Sequence, residues 1–443
     1  MSPESSAPLM VAPFGLDSLR EPAPPAPPPR ERGRHAVHSH RRRRSARRLV
    51  LLVALLVLLA AAAVFVGVRL TTPDPPPVVT PVVHRTVTVP AQSVSLPWPT
   101  TGQAAIAVPS IGIDVASGPE HPAPVASLTK LMTAYVILHD HPLGLNEAGP
   151  DITVTQADVD DYNNDTVDDD SNAQVTVGEQ LTEQQVLTGL LVHSADNFAD
   201  LLARWDAGST PAFVAKMNAG AAQLGMRQSH FADASGVDPG STSTPADLLK
   251  VAAVDMKNPA FASMVQMTSV TLPVAGTIST YTPLLGLQGI IGVKSGFTTA
   301  AGGCDVLAVV RTVHGQPVLL LAAVTGQTGP EVLAQAGLHG LALVDALGPL
   351  IGSMPVLRGG QVVADVSEAG RSVDARATAS VSLLTWPGVT ATRVFRPAHH
   401  LTDRASRGAS AGTVVVTLGT QRVVVPVRLQ QEVPRQSLLQ RLF

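Results

Sequence analysis

A long uncharged apolar segment divides this 443-residue chain into parts that must fold separately. The twenty residues from Leu49 to Val68 contain no charged residue and no proline. In a helix, that length crosses the hydrocarbon core of a bilayer. The segment is apolar all round rather than along one stripe, which argues against the surface helix of a soluble protein. The sequence therefore predicts a transmembrane helix over 49–68.

The charge on either side of this segment predicts its orientation. Six arginines lie between His38 and Arg48, and few basic residues follow the span, which places the N-terminus in the cytoplasm. A cleaved signal peptide is the alternative, but the preceding segment is long and the apolar stretch exceeds an ordinary signal core. Beside a membrane, the basic block contacts anionic lipid, and we expect no nucleic-acid partner. The predicted location is the cell membrane, single-pass, with the later domains outside the cytoplasm.

Composition separates two unstructured segments from two folded ones. Residues 1–48 are rich in proline and arginine and are predicted to be a disordered cytoplasmic segment. Residues 69–99 are again proline-rich and are predicted to be an extended extracytoplasmic linker. The rest has the apolar content for two cores, a larger domain over 100–348 and a smaller one over 349–443.

The order of patterns in the larger domain predicts an α+β fold. Short strands come first, then a block of helices, then a hairpin and a closing helix at 331–346, which favours helices packed on an antiparallel sheet. Beyond 349 the apolar residues alternate at period two, which predicts a small all-β domain. The acidic stretch 152–175 is predicted to be a solvated loop; a calcium loop of the EF-hand type is disfavoured, because its central glycine and closing glutamate are missing.

A serine and a lysine three residues apart are the first candidate for chemistry. In Val125-Ala-Ser-Leu-Thr-Lys-Leu131, the side chains of Ser127 and Lys130 lie on one face of a predicted helix start. A neutral lysine there can accept the serine proton, and the unpaired N–H of Ser127 can face a developing oxyanion. An isolated Ser-x-x-Lys is weak evidence, since a solvated lysine at a helix start gives the same pattern.

Two further triplets strengthen this interpretation. Ser194-Ala-Asp196 follows an apolar helix, and Lys294-Ser-Gly296 follows an apolar run, in a chain with only five lysines. The order of the three triplets resembles the signature of penicillin-recognising serine acyl-transferases. Over about 104–347 the chain resembles the serine-type D-alanyl-D-alanine carboxypeptidases, which are low-molecular-weight penicillin-binding proteins, in particular membrane-anchored actinobacterial members. The stretches 126–133, 231–238 and 292–304 carry the same resemblance.

The resemblance implies a role for each member of the first two triplets. Ser127 would be the acylated nucleophile and Lys130 its activating base. Ser194 would relay protons to and from the leaving group. The family fold is a five-stranded antiparallel sheet flanked by helices, often followed by a small β domain, which agrees with the patterns above.

The third triplet would bind the substrate. Lys294 would set the local field and hold the terminal carboxylate together with Ser295, while Gly296 would leave room for the peptide along the strand. The backbone N–H groups of Ser127 and Phe297 would form the oxyanion hole. The implied substrate is a peptidoglycan stem peptide ending in D-Ala-D-Ala, and β-lactam antibiotics would be covalent inhibitors. No metal or organic cofactor is implied.

Asp196 departs from the family pattern, in which this position is an asparagine that donates to the substrate. An ionised aspartate has no proton to donate, and it would pair with Lys130 or Lys294 and hold a proton on a lysine that should act as a base. This keeps open an alternative, a weakened or silent membrane-anchored wall-binding protein with the same fold. The nucleophile, base and oxyanion elements are present, so an active carboxypeptidase is favoured.

Three other interpretations are weaker. A class A β-lactamase needs a glutamate between the second and third triplets, and none occurs between Ser194 and Lys294. His193 beside Ser194 is interpreted as structural, because no aspartate partner is indicated. Cys304, the single cysteine, is predicted to be a buried packing residue rather than a nucleophile.

Overall fold

The computed structural model describes residues 40–72, 76–167, 170–368, 371–399, 401, 405–433, 437 and 439. Between residues 73 and 74 the chain divides into two compact units. The predicted disorder of residues 1–48 falls mostly outside the described residues, because only 40–48 are included.

The first unit contains one long helix, α1 (His40–Thr71). It includes the predicted span 49–68, and its apolar part, Ala46–Thr71, is 26 residues long and none of it is buried, so it can cross a membrane. Residues 40–48 are also helical, so the prediction of disorder is wrong there. Arginine and alanine are good helix formers, and an established helix propagates into them at little cost.

The second unit contains the remaining helices and all the strands. Its helices are α2 (Thr129–Asp140), α3 (Gln156–Val167), α4 (Glu183–Val192), α5 (Asp196–Ala207), α6 (Thr210–Leu224), α7 (Pro245–Asp255), α8 (Pro259–Met264) and α9 (Val332–Leu347), with short 3₁₀ helices at Ala126–Leu128, Leu287–Gly289 and Gly348–Leu350. Its first thirteen strands are β1 (Val78–Pro81), β2 (Thr86–Thr88), β3 (Gln103–Val108), β4 (Ile113–Ala116), β5 (Ala123–Pro124), β6 (Asp151–Thr153), β7 (Gln180–Thr182), β8 (Thr242–Ser243), β9 (Ser269–Leu272), β10 (Gly276–Ser279), β11 (Ile290–Thr298), β12 (Gly302–Val313) and β13 (Gln316–Gln327). The other strands are β14 (Gly352–Leu357), β15 (Val362–Glu368), β16 (Arg371–Ala377), β17 (Val381–Thr385), β18 (Thr390–Pro397), β19 (Ser410–Leu418) and β20 (Gln421–Leu429).

A five-stranded antiparallel sheet forms the centre of the larger domain, in the order β11-β12-β13-β3-β4. Side chains alternate across it: Ala105 and Ala107 of β3 join the core beneath the helices, while Ile106 and Val108 join a second core on the opposite face. Helix α9 packs on β12 and β13 at that opposite face. The predicted α+β fold is confirmed, including the hairpin and the closing helix.

The prediction of a loop over the acidic stretch 152–175 is wrong for part of that stretch. Residues Gln156–Val167 form helix α3. Arg204 of α5 donates hydrogen bonds to both Asp158 and Asp161, at 2.5 Å in each case. One arginine between two carboxylates offsets the repulsion between them, which otherwise disfavours a helix in an acidic segment. The pattern missed this because Arg204 is more than 40 residues away in sequence.

A seven-stranded antiparallel sheet forms the second domain, in the order β1-β15-β16-β20-β19-β18-β2. Strands β14 and β17 make a separate pair. The prediction of an all-β C-terminal region is confirmed for the residues that the structure describes, but the second core runs without a break from the larger domain into this sheet. The two domains therefore share one apolar cluster.

Both edges of this sheet come from the predicted linker. Strand β1 pairs with β15, and β2 pairs with β18 at the other edge. The prediction that 69–99 is one extended spacer is therefore wrong over 78–88. Edge strands tolerate proline because the backbone groups on their outer side form no hydrogen bonds to another strand. For that reason a proline-rich composition did not reveal them.

A buried arginine contacts the segment that connects the two edge strands β1 and β2. Arg393 is 7% exposed, and its Nε donates to the carbonyl of His84 at 2.9 Å while its Nη1 donates to the carbonyl of Val356 at 3.2 Å. Its backbone N–H also donates to the carbonyl of Arg85. One side chain therefore joins the N-terminal segment to the β domain.

Replacing Arg393 by methionine is expected to lower the free energy of unfolding by about 2–4 kcal/mol, because two part-buried carbonyls lose their donor. Urea unfolding of the full chain measures this. The control Arg396→Gln, at an exposed position of the same strand, should change the free energy by less than about 0.5 kcal/mol. Equal effects of the two substitutions would show that 78–88 is not anchored through Arg393.

Candidate active site

The first triplet places its serine and lysine side by side at a helix start. Ser127 lies in the 3₁₀ turn Ala126–Leu128, and Lys130 follows in the first turn of α2. Lys130 Nζ lies 2.9 Å from Ser127 Oγ. The spacing argument from the sequence is therefore confirmed in its geometry, and the two side chains lie within hydrogen-bond distance.

Lys130 is completely buried and surrounded by acceptors. Besides Ser127 Oγ, its Nζ donates to Asp196 Oδ1 at 2.5 Å and to the carbonyl of Ser235 at 2.9 Å. A buried ammonium is stable only when its hydrogen bonds are satisfied in this way. Asp196 pairs with Lys130, one of the two lysines that the sequence left open.

The loop that supplies the Ser235 carbonyl is held by a carboxylate that sequence reasoning did not assign to the site. Asp233 Oδ2 accepts from Ser235 Oγ at 2.8 Å and from the backbone N–H of Gly236 at 2.7 Å. A Cβ on Gly236 would lie 1.9 Å from the carbonyl oxygen of Ala126. The loop is therefore pressed against the nucleophile turn, and its sequence, 231–238, was noted only as a family resemblance.

The second triplet follows helix α4, which begins with a capping box formed by Thr182 and Gln185. Ser194 has a left-handed backbone conformation, with φ of 63°. It is 4% exposed, and its Oγ has no hydrogen-bond partner within the described residues. A strained, unpaired hydroxyl of this kind is characteristic of a functional site.

Asp196 begins helix α5, where the helix dipole favours a negative charge. Burial raises the pKa of the Asp196 carboxyl, and the adjacent Lys130 ammonium opposes that rise. The side chain is 7% exposed. The pair therefore holds its proton between two buried groups whose charge states depend on each other.

The third triplet lies on the edge strand β11. Lys294 is buried, and burial lowers the pKa of its ammonium to about 7, with Lys130 acting in the same direction. Its Nζ donates to the carbonyl of Ser295 at 2.7 Å, and Ser295 Oγ donates to the carbonyl of Tyr281 at 2.9 Å. A Cβ on Gly296 would lie 2.7 Å from the backbone nitrogen of Ser127. The strand thus runs directly over the nucleophile turn.

A cavity of about 300 Å³ joins the three triplets. Its lining includes Ser127, Ser194, Asp196, Ser295, Gly296 and Phe297. The two lysines are buried behind this lining. Sequence reasoning did not identify the opposite wall, which includes Ser171, Val237 and Leu333. These residues come from separate parts of the chain, so no spacing in the sequence indicates that they line one cavity.

The weaker candidates lie outside this arrangement. His193 stacks on Tyr281 with ring centroids 4.7 Å apart, and its Nδ1 lies 2.8 Å from the carbonyl oxygen of Ser279. Cys304 is fully buried, and burial raises the pKa of its thiol to about 12. Both residues are structural, as predicted. A wider groove of about 490 Å³ elsewhere is lined by Arg311 and Asp345, which pair with each other.

Residues 112–327 match a family model described as D-alanyl-D-alanine carboxypeptidase. The chain is 34% identical over 202 residues to the D-alanyl-D-alanine carboxypeptidase of Streptomyces sp. strain K15, covering 42% of this chain and 67% of that protein. The chain belongs to the D-alanyl-D-alanine carboxypeptidase family. A second family member, DacB2 of Mycobacterium tuberculosis, is 32% identical over 221 residues, covering 48% of this chain and 71% of that protein.

Solved structures agree with this membership. The Streptomyces K15 DD-transpeptidase aligns with a TM-score of 0.51 at 26% identity, covering 57% of this chain and all of that one. Penicillin-binding protein 5 of Haemophilus influenzae shares the fold, with a TM-score of 0.55 at 19% identity over 77% of this chain and 99% of that one. The predicted class, a serine D-alanyl-D-alanine carboxypeptidase, is confirmed by the family, and the silent alternative is not favoured.

Proposed function

We propose that this carboxypeptidase removes the terminal D-alanine of peptidoglycan stem peptides through an acyl-enzyme on Ser127. The single observation that carries this proposal is the buried contact between Ser127 Oγ and Lys130 Nζ at the floor of the cavity. A hydroxyl next to a desolvated lysine is the arrangement that makes serine nucleophilic without a histidine. The roles of the remaining residues follow from their positions around this pair.

Substrate binding uses the edge strand β11. The peptide lies along the strand, and its terminal carboxylate meets Ser295 and the field of Lys294. The ammonium form of Lys294 attracts that carboxylate strongly, since little water screens a buried charge. The scissile carbonyl carbon then lies over Ser127, and its oxygen faces the N–H groups of Ser127 and Phe297.

Acylation transfers the Ser127 proton to Lys130 as Oγ attacks the carbonyl carbon. The tetrahedral intermediate collapses, the carbon–nitrogen bond breaks, and Ser194 relays the proton from Lys130 to the departing amine of D-alanine, which returns Lys130 and Ser194 to their starting states. Water then attacks the ester, the shortened peptide leaves as a carboxylic acid, and Ser127 regains its proton. Asp196 affects this cycle because its carboxylate accepts a hydrogen bond from Lys130 Nζ at 2.5 Å.

The same site would bind β-lactam antibiotics covalently, because a β-lactam presents an acylating carbonyl next to a carboxylate. We further propose that α1 is a single-pass membrane anchor and that residues 76–440 lie outside the cytoplasm. Its apolar length and the arginines that precede it support this topology. The domain assignments, 100–348 as the catalytic domain and 349–443 as a β domain, belong to the same proposal.

Release of D-alanine from a diacylated L-Lys-D-Ala-D-Ala tripeptide tests the function. The full chain in detergent should release one D-alanine per peptide, and Ser127→Ala should release none above background. Ser110→Ala, at a hydroxyl outside the cavity, serves as the matched control and should retain full activity. Equal release by the native chain and Ser127→Ala would overturn the proposal.

Adding one methyl group at Gly296 is expected to lower the acylation rate by about 10²-fold. The new Cβ would lie 2.7 Å from the backbone nitrogen of Ser127, so Ser127 or strand β11 must shift. A shift of about 1 Å in a reacting group costs about two orders of magnitude in rate. The sequence argument gave a different reason, a block to substrate. Stopped-flow acylation by a chromogenic cephalosporin measures the effect.

Gly118→Ala is the control for this substitution, because nothing lies within 4 Å of the position where its Cβ would be. It should leave the acylation rate unchanged. A Gly296→Ala variant that acylates at the native rate would mean that the strand does not constrain Ser127.

A further inference from the structure

The two domains have opposite charge. Residues 100–348 contain 24 acidic and eight basic residues, whereas residues 349–443 contain eleven arginines, no lysine and five acidic residues. Neither the reaction nor the catalytic cavity explains this excess of arginine in the β domain. A charge imbalance of this size favours contact with a partner of opposite sign.

The outer face of the seven-stranded sheet gathers part of this charge around an apolar centre. Val394, Val415 and Val424 lie directly opposite one another across β18, β19 and β20. Residues directly opposite in antiparallel strands point to the same face. Val394 is 42% exposed and Val424 is 45% exposed, whereas Val415 between them is only 6% exposed. Core-facing valines of the same strands are buried, so this row belongs to the outer face.

Three exposed arginines surround the valine row. Arg396 lies two residues beyond Val394, and Arg422 and Arg428 lie on the same side of β20 as Val424. Within the part of the chain that the structure describes, none of these three arginines forms an ion pair. Arg428 lies opposite Arg376 of β16, which is paired with Asp374. We call Arg396, Arg422, Arg428, Val394, Val415 and Val424 the arginine–valine face.

We propose that the arginine–valine face binds a bilayer surface of anionic phospholipid. Arg428 Nη1 donates to the carbonyl of Gly408 at 2.7 Å, which holds this guanidinium in place without neutralising its charge. Arginines without an ion pair, beside the exposed Val394 and Val424, match a layer of phosphate groups above acyl chains. The 24 acidic residues of the catalytic domain are repelled by that surface, so the charge distribution favours contact through the β domain.

The connectivity supports this partner. Strand β1, an edge strand of the same sheet, begins only six residues after α1 ends, at Thr71. An extended chain of six residues reaches about 20 Å. If α1 anchors the chain as proposed, this sheet is the first folded element that the anchor brings within reach of lipid.

The single native cysteine does not interfere with a test by thiol labelling. Cys304 is fully buried, so Val424→Cys provides one accessible thiol for an environment-sensitive fluorophore. The full chain is placed in nanodiscs, one protein per disc, made of phosphatidylcholine alone or with phosphatidylglycerol. We expect a blue shift only in the anionic discs, and a loss of that shift at high salt. Labelling at Val394→Cys should give the same result, and labelling at Val177→Cys should give none.

Charge-matched variants separate this face from net charge. The blue shift should be abolished by the triple substitution Arg396→Gln, Arg422→Gln and Arg428→Gln. Each arginine removed is expected to weaken the lipid affinity about five-fold. The control removes three exposed arginines elsewhere, by Arg227→Gln, Arg358→Gln and Arg371→Gln, and should retain the shift. Penicillin labelling of both variants should match the native chain, which confirms that they are folded.

Two results would overturn the proposal. An identical emission spectrum in neutral and anionic discs would show that the face does not bind anionic lipid. A blue shift in neutral discs on addition of soluble poly(glycerol phosphate) would assign the face to an anionic polymer instead.

Discussion

Replacing Lys130 by methionine is expected to slow acylation of Ser127 by about 10³-fold or more, because the serine loses the base proposed to accept its proton. Lys130 Nζ is the group within hydrogen-bond distance of Ser127 Oγ. Methionine fills similar volume, so the cavity keeps its shape. The acylation rate with fluorescent penicillin, measured over a range of concentrations, gives the effect on the chemical step.

Stability would confound this result without a second variant. Removing Lys130 leaves Asp196 buried without its partner, and breaking a buried pair costs about 3–5 kcal/mol. The double variant Lys130→Met with Asp196→Asn removes the orphaned charge and should recover most of that stability. Acylation should stay as slow as in Lys130→Met. Recovery of the rate together with stability would show that Lys130 has only a structural role.

Replacing Asp196 by asparagine is expected to raise the acylation rate at pH 7 by about ten-fold and to move the pH profile to lower pH. The Asp196 carboxylate lies 2.5 Å from Lys130 Nζ and accepts a hydrogen bond from it, so this contact competes with acceptance of the serine proton. Acylation therefore rises with pH as the pair loses its proton. An uncharged amide releases that proton at lower pH, so the rise begins earlier.

The measurement is the acylation rate between pH 5 and 10 for the native chain and the variant. Asp200→Asn is the matched control, because Asp200 lies one turn further along α5 and accepts from Thr210 at 3.1 Å rather than from Lys130. Its profile should follow that of the native chain. A profile for Asp196→Asn that is unchanged, or moved to higher pH, would show that the ion pair does not limit the base.

Local patterns predicted the catalytic pair well because three residues of helix determine the distance between Ser127 and Lys130. The capping box at Thr182 is a local feature of the same kind, and it begins the helix that precedes Ser194. These features depend on neighbours within one or two turns. The strands and hairpin of the central sheet were also predictable, since their alternation reflects burial.

Long-range partners explain what the sequence did not reveal. Helix α3 depends on Arg204, which lies on another helix, and the edge strands β1 and β2 depend on a sheet that begins more than 250 residues later. The Ser235 carbonyl at Lys130 could not be read from residue type, because it is a backbone group. The arginine–valine face likewise appears only when the strand register is known.

Peptide mapping of the acyl-enzyme tests the central claim most directly. The full chain is incubated briefly with penicillin, stopped in acid, digested and examined by mass spectrometry. One penicilloyl group should be found, on the peptide that contains Ser127, and Ser127→Ala should show none. An adduct on a peptide containing Ser194 or Ser295, or an adduct that persists in Ser127→Ala, would contradict the assignment of Ser127 as the nucleophile.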